Sequence, residues 1–564
     1  MRKFSRIILL AVFIVSILLG AFFVTTSNIP ANEKYFSREA FDIDRFVEGG
    51  INFLDNKKDE DFTFDEEGII DYEYKEFEDY FVDYKIPTKI EDTSITGDGT
   101  LNSPYQINST EDFLFIMKKG TFEKYFDVNC DIVLNDETFD ENGNPSGGDG
   151  VYYDIDCRES SNAFFFDGKG HTIYGLHMVN AAGYDNGSYI SLFGYAGNKY
   201  IKKICNLNME NFYVSGNYSV TALAHRVEKI ENCKLIKGTL CNSGNYTHGF
   251  ASHVNEMKNC TSYATINGVQ STNGLGRQII NAEKCYNYGK INAEGFYASG
   301  LFEFSSVMRE CANYGDIHGA SSYIGGLVSK QTESITITNC YNYGNVVGDY
   351  LHVGGIFGLL NTPGVVTISN SGNFGLIKAL SNSAHQYQLY GDNNRKEVTI
   401  NLINCEFNSP EYAPLCHNGD VNMQNCRFTM NEVSGNSYLF YSLGKTMAKN
   451  ITVNVNLKGG TFRLCRNYNG IESVVAKNIY VLINGEQNQT NYINLIHDQI
   501  KIDGAIFSDQ YGTGKNYYYG SDFSDYAYAY KTGKVFIKQN SVLLAEKPVD
   551  THLLEALGYT EIYA

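Results

Sequence analysis

Acids with spacings that could do chemistry stand in two stretches of this chain. In Asp140-Glu141-Asn142-Gly143-Asn144 the oxygen-bearing side chains alternate as in a calcium-binding loop. Pro145, however, occupies the place of the turn glycine, and Val151 the place of a bidentate Glu, so a plain polar loop is the favoured reading. Asp154, Asp156 and Glu159 could converge as a carboxylate cluster, but alternation along a strand that points them into water is the favoured reading. The second stretch, 240–380, holds Glu256, Glu283, Glu294, Glu303, Glu310, Asp316, Glu333 and Asp349. A glycosidase needs two carboxylates on one face, and a lyase needs calcium-binding Asp beside a Lys or Arg base. These acids stand at different distances from the nearest upstream cysteine, except Glu294 and Asp349, each nine residues on. One coincidence among eight does not build a site.

His171 and His248 have no partner visible in sequence and are expected at a turn or on the surface. Tyr517-Tyr518-Tyr519 with Tyr526, Tyr528 and Tyr530 could stack on sugar rings, although Tyr526-Ala527-Tyr528-Ala529-Tyr530 is also what a strand with one aromatic face gives. HExxH, GxSxG, P-loop, GxGxxG and CxxC patterns are missing. No residue is therefore assigned as catalytic, cofactor-binding or metal-ligating.

The elements that would position these groups come from a repeat. Cys285-Tyr286-Asn287-Tyr288-Gly289, Cys311-Ala312-Asn313-Tyr314-Gly315 and Cys340-Tyr341-Asn342-Tyr343-Gly344 are copies of one pattern, and Ser371-Gly372-Asn373-Phe374-Gly375 is a fourth. An aliphatic residue follows each Gly by two: Ile291, Ile317, Val346 and Ile377. Cys205, Cys233 and Cys260 are expected on the same ladder, giving spacings of 28, 27, 25, 26, 29 and 31. Ala448-Lys449-Asn450-Ile451 recurs 28 residues on as Ala476-Lys477-Asn478-Ile479. Units of this size made of strands cannot hold a core alone and must stack as a solenoid. Positions that recur once per coil then pile up, and small apolar Cys suits an inward column of free thiols. Solenoid ends are open sheet edges that need covers. A helix near 109–119, with Ser109 as N-cap, Asp112 three residues on, an apolar face of Phe113, Ile116 and Met117, and Gly120 as stop, would cover the start. A second helix within 546–564, led by Asp550-Thr551 and stopped by Gly558, would cover the end.

These segments resemble bacterial surface proteins with a right-handed parallel β-helix carrying GLUG-type repeats, within the pectin-lyase-like superfold. Gly97-Asp98-Gly99-Thr100 followed by Ser103-Pro104-Tyr105-Gln106-Ile107 is similar to that family's entry. Tyr125-Phe126-Asp127-Val128 with Asp131-Ile132-Val133-Leu134 resembles its first strand, and Phe165-Phe166-Asp167-Gly168-Lys169-Gly170-His171-Thr172-Ile173 its aspartate-glycine turn. Ile190-Ser191-Leu192-Phe193-Gly194 and the Gly-Leu signature at Gly300-Leu301, Gly326-Leu327 and Gly355-Ile356-Phe357-Gly358 complete the likeness. It covers about 95–380 by motif and 380–545 by period alone. The resemblance implies an all-β fold, a right-handed parallel β-helix solenoid over 95–545 with short capping helices, preceded by an N-terminal transmembrane or signal helix. That superfold hosts adhesins, lyases and hydrolases alike, so it does not fix an activity.

Arg2, Lys3 and Arg6 before the uncharged run Ile7–Val24 mark an export signal within 1–27, favoured as an uncleaved anchor over a cleaved signal peptide. Segment 28–94 interleaves acids with aromatics, as in Asp79-Tyr80-Phe81-Val82-Asp83-Tyr84, and is expected as a solvated spacer. The chain has 564 residues and a net charge of −19, which excludes a nucleic-acid binder. From Cys285, Cys311 and Cys340 the Gly-Leu glycine always follows by 15, so length varies only around Ser305–Arg309, Lys330–Ser334 and Leu359–Gly364, where a recognition edge is expected. The reading is an extracytoplasmic, membrane-anchored or secreted surface protein that binds an extracellular glycan or surface protein without catalysis. Alternatives are a polysaccharide lyase or glycoside hydrolase on the same fold, or a purely structural envelope component.

Overall fold

Backbone hydrogen bonds in this chain run from each coil to the next. A computed structural model describes residues 95–119, 124–134, 164–179, 189–194 and 200–458 with gaps at 321, 351, 382–384, 394–397, 418–419, 435 and 441–444, and elsewhere only isolated strands. The export segment 7–24, nearly all of the spacer 28–94, Asp140–Asn144, Asp154, Asp156, Glu159 and Tyr530 lie outside the described residues. Among the described residues no helix is long and apolar enough to cross a membrane.

The fold is all-β with mostly parallel strands, each pairing with its counterparts one coil before and after. Ala224–Glu231, Ala251–Lys258, Gly276–Glu283 and Phe302–Arg309 form one such ladder, in register as Val227↔Val254↔Ile279↔Ser305. Ile291–Ala293, Ile317–Gly319, Val346–Gly348 and Ile377–Ala379 form another, whose Ile291, Ile317, Val346 and Ile377 are buried in one apolar column. A separate eight-stranded parallel sheet starts at Tyr189–Ile190 and runs through Tyr246–His248 and Tyr297–Ser299 to Gln386–Tyr387.

Each repeat's cysteine sits just past a tight bend. The residue before it is left-handed in every coil: Asn232, Asn259, Lys284, Glu310, Asn339, Asn370, Asn404 and Asn425 have φ between 47° and 55°. Asn tolerates that region better than other side-bearing residues, and here it also links coils. Asn259 Nδ2 donates to Asn232 Oδ1 at 3.0 Å, and Asn425 Nδ2 to Asn404 Oδ1 at 3.0 Å. The thiol then turns back on the bend. Cys285, Cys311 and Cys340 donate to the carbonyls of Glu283, Arg309 and Thr338 at 3.2–3.3 Å. Ser371 makes the same bond at 2.7 Å, which is why a hydroxyl can replace a thiol there.

The Asn of each repeat is fully buried and forms an internal ladder. Asn287, Asn313 and Asn342 Nδ2 donate to the Oδ1 of Asn313, Asn342 and Asn373 at 2.9, 2.8 and 2.7 Å. The same nitrogens bond the carbonyls of Gly289, Gly315 and Gly344 at 2.9–3.0 Å. Gly315 is required because a Cβ there would run into the Gly289 carbonyl of the coil below. The ring three residues before each aliphatic stacks on its neighbours: Tyr263, Tyr288, Tyr314, Tyr343 and Phe374 lie 4.6–5.3 Å apart, centroid to centroid.

Several expectations are corrected. Cys205 pairs in register with Glu231, so the ladder position in that coil is Leu207, set by left-handed Asn206. The column instead continues downstream through Cys405 and Cys426, where the coil shortens to 21 residues. Among the described residues its cysteines are free thiols. Parallel pairing is described to Gly485, with Ile451 opposite Ile479, and not to 545. From Ala505 on, described strands pair antiparallel: Ala505–Ser508 with Asn516–Tyr519, that strand with Tyr526–Ala529, and Lys534–Lys538 with Ser541–Leu543 and Thr560–Tyr563. Thr560–Tyr563, beyond the Gly558 stop of the expected end helix, is strand, while Asp550–Gly558, where that helix was expected, lie outside the described residues. The chain divides into two units: 61–502 with 509–513, which holds the parallel stack, and 1–60, 503–508 and 514–564.

The start is as the sequence predicts. Thr110–Lys119 is a helix with Phe113, Leu114 and Ile116 buried. Ser109 Oγ accepts the Asp112 N–H at 3.1 Å, while the Asp112 carboxylate reaches one residue further back than expected, to the Asn108 N–H at 3.0 Å.

Candidate functional site

Each Gly-Leu element marks a corner where the eight-stranded sheet bends into the long strands. Around it three polar positions recur: three before the Gly, one before it, and three after it. In successive coils the first position is Tyr246, Ser271, Tyr297, Tyr323, His352 and His385. The second is His248, Asn273, Ser299, Gly325, Gly354 and Tyr387, paired in register. The third is Ser252, Arg277, Glu303, Ser329, Gly358 and Gly391.

A buried network joins them. Glu303, 4% exposed, accepts from Ser271 Oγ at 2.7 Å and from Arg277 Nε at 3.0 Å through the same oxygen. Asn273 Nδ2 bonds Ser271 Oγ at 3.0 Å and His248 Nδ1 at 3.1 Å, and its Oδ1 accepts from Ser299 Oγ at 2.5 Å. Ser329 Oγ donates to the Glu303 carbonyl at 3.3 Å. The Arg277 guanidinium lies 4.2 Å over the Tyr246 ring and 5.8 Å from Phe304, and Lys330 sits 5.2 Å over Tyr297. Tyr323 stacks on His352 at 5.2 Å, followed by His385 and His417 at 5.4 and 4.9 Å. The result is a half-buried strip of aromatic rings with Arg277 and Lys330 laid over two of them.

Burial, with neighbouring cations, disfavours the charged form of three histidines here, His225, His248 and His253. His225 is pushed down to about 2 by burial, with repulsion from His253, Arg226 and Arg277 adding to it. His253 falls to about 4 through burial and then Arg277 and Arg226. Fully buried His248 is lowered well below the usual range by the same causes. Perturbed groups gathered around one cation pair are a common signature of a binding or active site.

The sequence-selected residues fare unevenly. His248 was expected at a turn or on the surface; it is fully buried, because its position faces the corner network. His171 is half-exposed and gains a partner 40 residues away, Asp131 Oδ1 at 3.2 Å, which also accepts the Thr172 N–H at 2.9 Å. Asp349 pairs with exposed His318 at 2.9 Å, and Glu294 is exposed. Asp316 accepts the Asn345 N–H at 3.0 Å, a structural task. Of the eight acids only Glu303 enters the network. Among the described residues no group of three or more His, Cys, Asp or Glu could hold a metal. The expected recognition edge is not a set of long loops. Ser305–Arg309 belongs to a strand, and the extra residues form short turns tied together by Gln331 Oε1, which accepts the Asn361 and Thr362 N–H at 3.2 Å each. The backbone pairs Tyr517 with Tyr528 and Tyr519 with Tyr526.

No family model and no curated protein matches the chain. Among solved structures it is similar to a putative immunoglobulin A1 protease from Bacteroides ovatus, at 21% identity and a TM-score of 0.31, over 45% of this chain and 79% of that one. A likeness at that level carries no argument about activity. Arg277, Asn273, Ser271, His225 and His253 are what the sequence reading missed. Counting three residues past each Gly-Leu glycine would have found Arg277 beside Glu303.

Proposed function

We propose that this is an extracytoplasmic surface protein that binds glycan or a surface protein without chemistry. On this reading it is a right-handed parallel β-helix with GLUG-type repeats, carried from the membrane by segment 7–24, as anchor or cleaved signal, and by the acidic spacer. The observation that supports binding is the corner strip: Tyr246 under Arg277, Tyr297 under Lys330 two coils on, and Tyr323 against His352 in the coil after that, all half-exposed. Tyr297, Tyr323 and His352 stack on one another along the axis, so their outward edges, with the Arg277 and Lys330 cations, form a row open to an elongated ligand. Glu303, bound to Arg277 and Ser271, serves as an anchor for that strip and not as a free acid or base.

A glycan array on the full chain tests this, with Tyr297→Ala and Lys330→Ala as the paired controls. Saccharide binding lost in both variants is expected. Release of reducing ends or unsaturated products from the bound glycan would replace this reading with a hydrolase or lyase.

A further inference from the structure

Acids and lysines on the long strands are matched almost one to one. Glu228 pairs with Lys202, Glu231 with Lys203 and Lys229, Glu256 with Lys229, and Glu283 with Lys258. Arg226 stands out against this pattern. It is half-buried, its Nε has no hydrogen-bond partner, and among the described residues it has no carboxylate within ion-pair distance. Its contact is the Tyr200 ring, 5.8 Å away. Next to it, one coil on and in register, His253 is also half-buried and its Nδ1 has no partner. The His225 ring lies 5.3 Å from His253 and 4.2 Å from Tyr189. Behind them His248, fully buried, takes the Asn273 N–H on Nδ1, so its Nε2 carries a hydrogen that finds no acceptor.

Unsatisfied buried donors and an unpaired cation are costly unless a ligand completes them. Arg226 Nε and the His248 Nε2 hydrogen lack an acceptor, His253 offers a ring nitrogen beside them, and the Arg226 charge favours an anion, on a chain whose net charge is −19. Tyr189, Tyr218 and Tyr246 flank the spot with rings 5.3 and 5.9 Å apart. We propose that Arg226 and His253 bind the oxyanion of an acidic sugar, a carboxylate or a sulfate ester, with the sugar ring against the tyrosines. The anion follows from the donors alone; the sugar rests on the binding reading above.

Calorimetric titration of the full chain with four probes separates these: a glucuronate-containing tetrasaccharide, a sulfated one, a neutral one and sodium sulfate. Expected is at least tenfold tighter binding of one or both acidic tetrasaccharides than of the neutral one. Arg226→Gln should remove that margin and leave the neutral affinity unchanged, with an unaltered circular dichroism spectrum. The preferred acidic probe tells carboxylate from sulfate. Equal affinity for acidic and neutral probes overturns the anion site while leaving the binding reading intact. Binding of sulfate alone, lost in Arg226→Gln, upholds the anion site and overturns the sugar. No binding of any probe overturns both. Should Arg226→Gln fail to fold, His253→Gln and the unmodified protein serve: the acidic probe should shield His253 from diethyl pyrocarbonate, read by mass spectrometry, and absence of shielding overturns the proposal.

Discussion

Replacing Asn313 by Ala probes the internal ladder at its middle rung. The substitution removes an Nδ2 that donates to Gly315 O at 2.9 Å and Asn342 Oδ1 at 2.8 Å, and an Oδ1 that accepts from Asn287 Nδ2 at 2.9 Å. Three buried polar atoms lose a partner in a place no water reaches, since Asn287, Asn313 and Asn342 are all fully buried. Leaving such an atom unsatisfied costs about 1–3 kcal/mol. Asn287 Nδ2 retains its bond to Gly289 O at 3.0 Å, so the cost falls on Gly315 O and Asn342 Oδ1, about 2–6 kcal/mol for the two and expected near the middle, about 3–5 kcal/mol. Asn373 supplies the control. It ends the ladder, facing Phe407 in the next coil, so its removal strands Gly375 O only, since Asn342 Nδ2 keeps its bond to Gly344 O at 2.9 Å. Its loss should cost about 1–3 kcal/mol. Urea denaturation of the two variants beside the parent measures both, with the m-value checked for constancy. A cost below about 1 kcal/mol for Asn313→Ala, or a larger cost at Asn373 than at Asn313, would refute the ladder argument.

Three further outcomes are expected. Glu303→Gln leaves the Arg277 charge half-buried and uncompensated and should cost about 2 kcal/mol, read as a lowered urea midpoint; an unchanged midpoint would remove Glu303 from its anchoring role. His225 and His253 are held below their unfolded value near 6.5, so the neutral form is favoured by folding; the stability this gives is complete above about pH 6.5 and is lost as pH falls, to about 4 for His253 and about 2 for His225. Comparing urea midpoints at pH 7 and pH 5 should show the loss, and His225→Gln with His253→Gln should flatten it. Burial pushes the Cys285 and Cys340 thiols up, so a thiol reagent should label neither in the native protein and both in denaturant; Cys311→Ser should fold with stability within about 1 kcal/mol of the parent, since Ser371 already fills the same place.

The inner columns were legible because each is written several times. Cys, Asn, Tyr, Gly and the aliphatic recur at fixed offsets, and a position that repeats once per coil must face the same environment each time. Cys205 misled because the register is set by the left-handed residue and not by the thiol: Asn206 turns the chain, and Leu207 follows it inward. The same signal, Asn404 and Asn425 before a Cys, marks the two rungs that the sequence reading overlooked when the coil shortened. Period alone carried the last third too far, since a 28-residue recurrence between 448 and 476 says nothing about the pairing of strands from 505 on.

The corner was illegible for the opposite reason, and that reason bears on function. Its positions are as regular in space as the inner ones, yet Ser252, Arg277, Glu303, Ser329 and Gly358 share neither size nor charge. Stability would be served by a repeated residue there, as Asn serves the ladder inside. Instead the coils differ, and the difference leaves, among the described residues, a cation without an acid at Arg226, an open donor at His248 and an unpartnered ring nitrogen at His253. In a solenoid, each coil's interior must match its neighbours or the stack fails, whereas an outer corner is free to vary by coil. A ligand lying along the axis would meet a distinct group every 4.8 Å or so, which is how a repetitive scaffold can recognise a ligand that is itself not uniform. Length changes, which the sequence made conspicuous, are absorbed by short turns locked through Gln331 and Ser334. Recognition is therefore expected where the chemistry of the repeat varies at constant geometry, and transplanting the Arg226–His253 pair two coils along, at Gln278 and Phe304, should move anion binding with it.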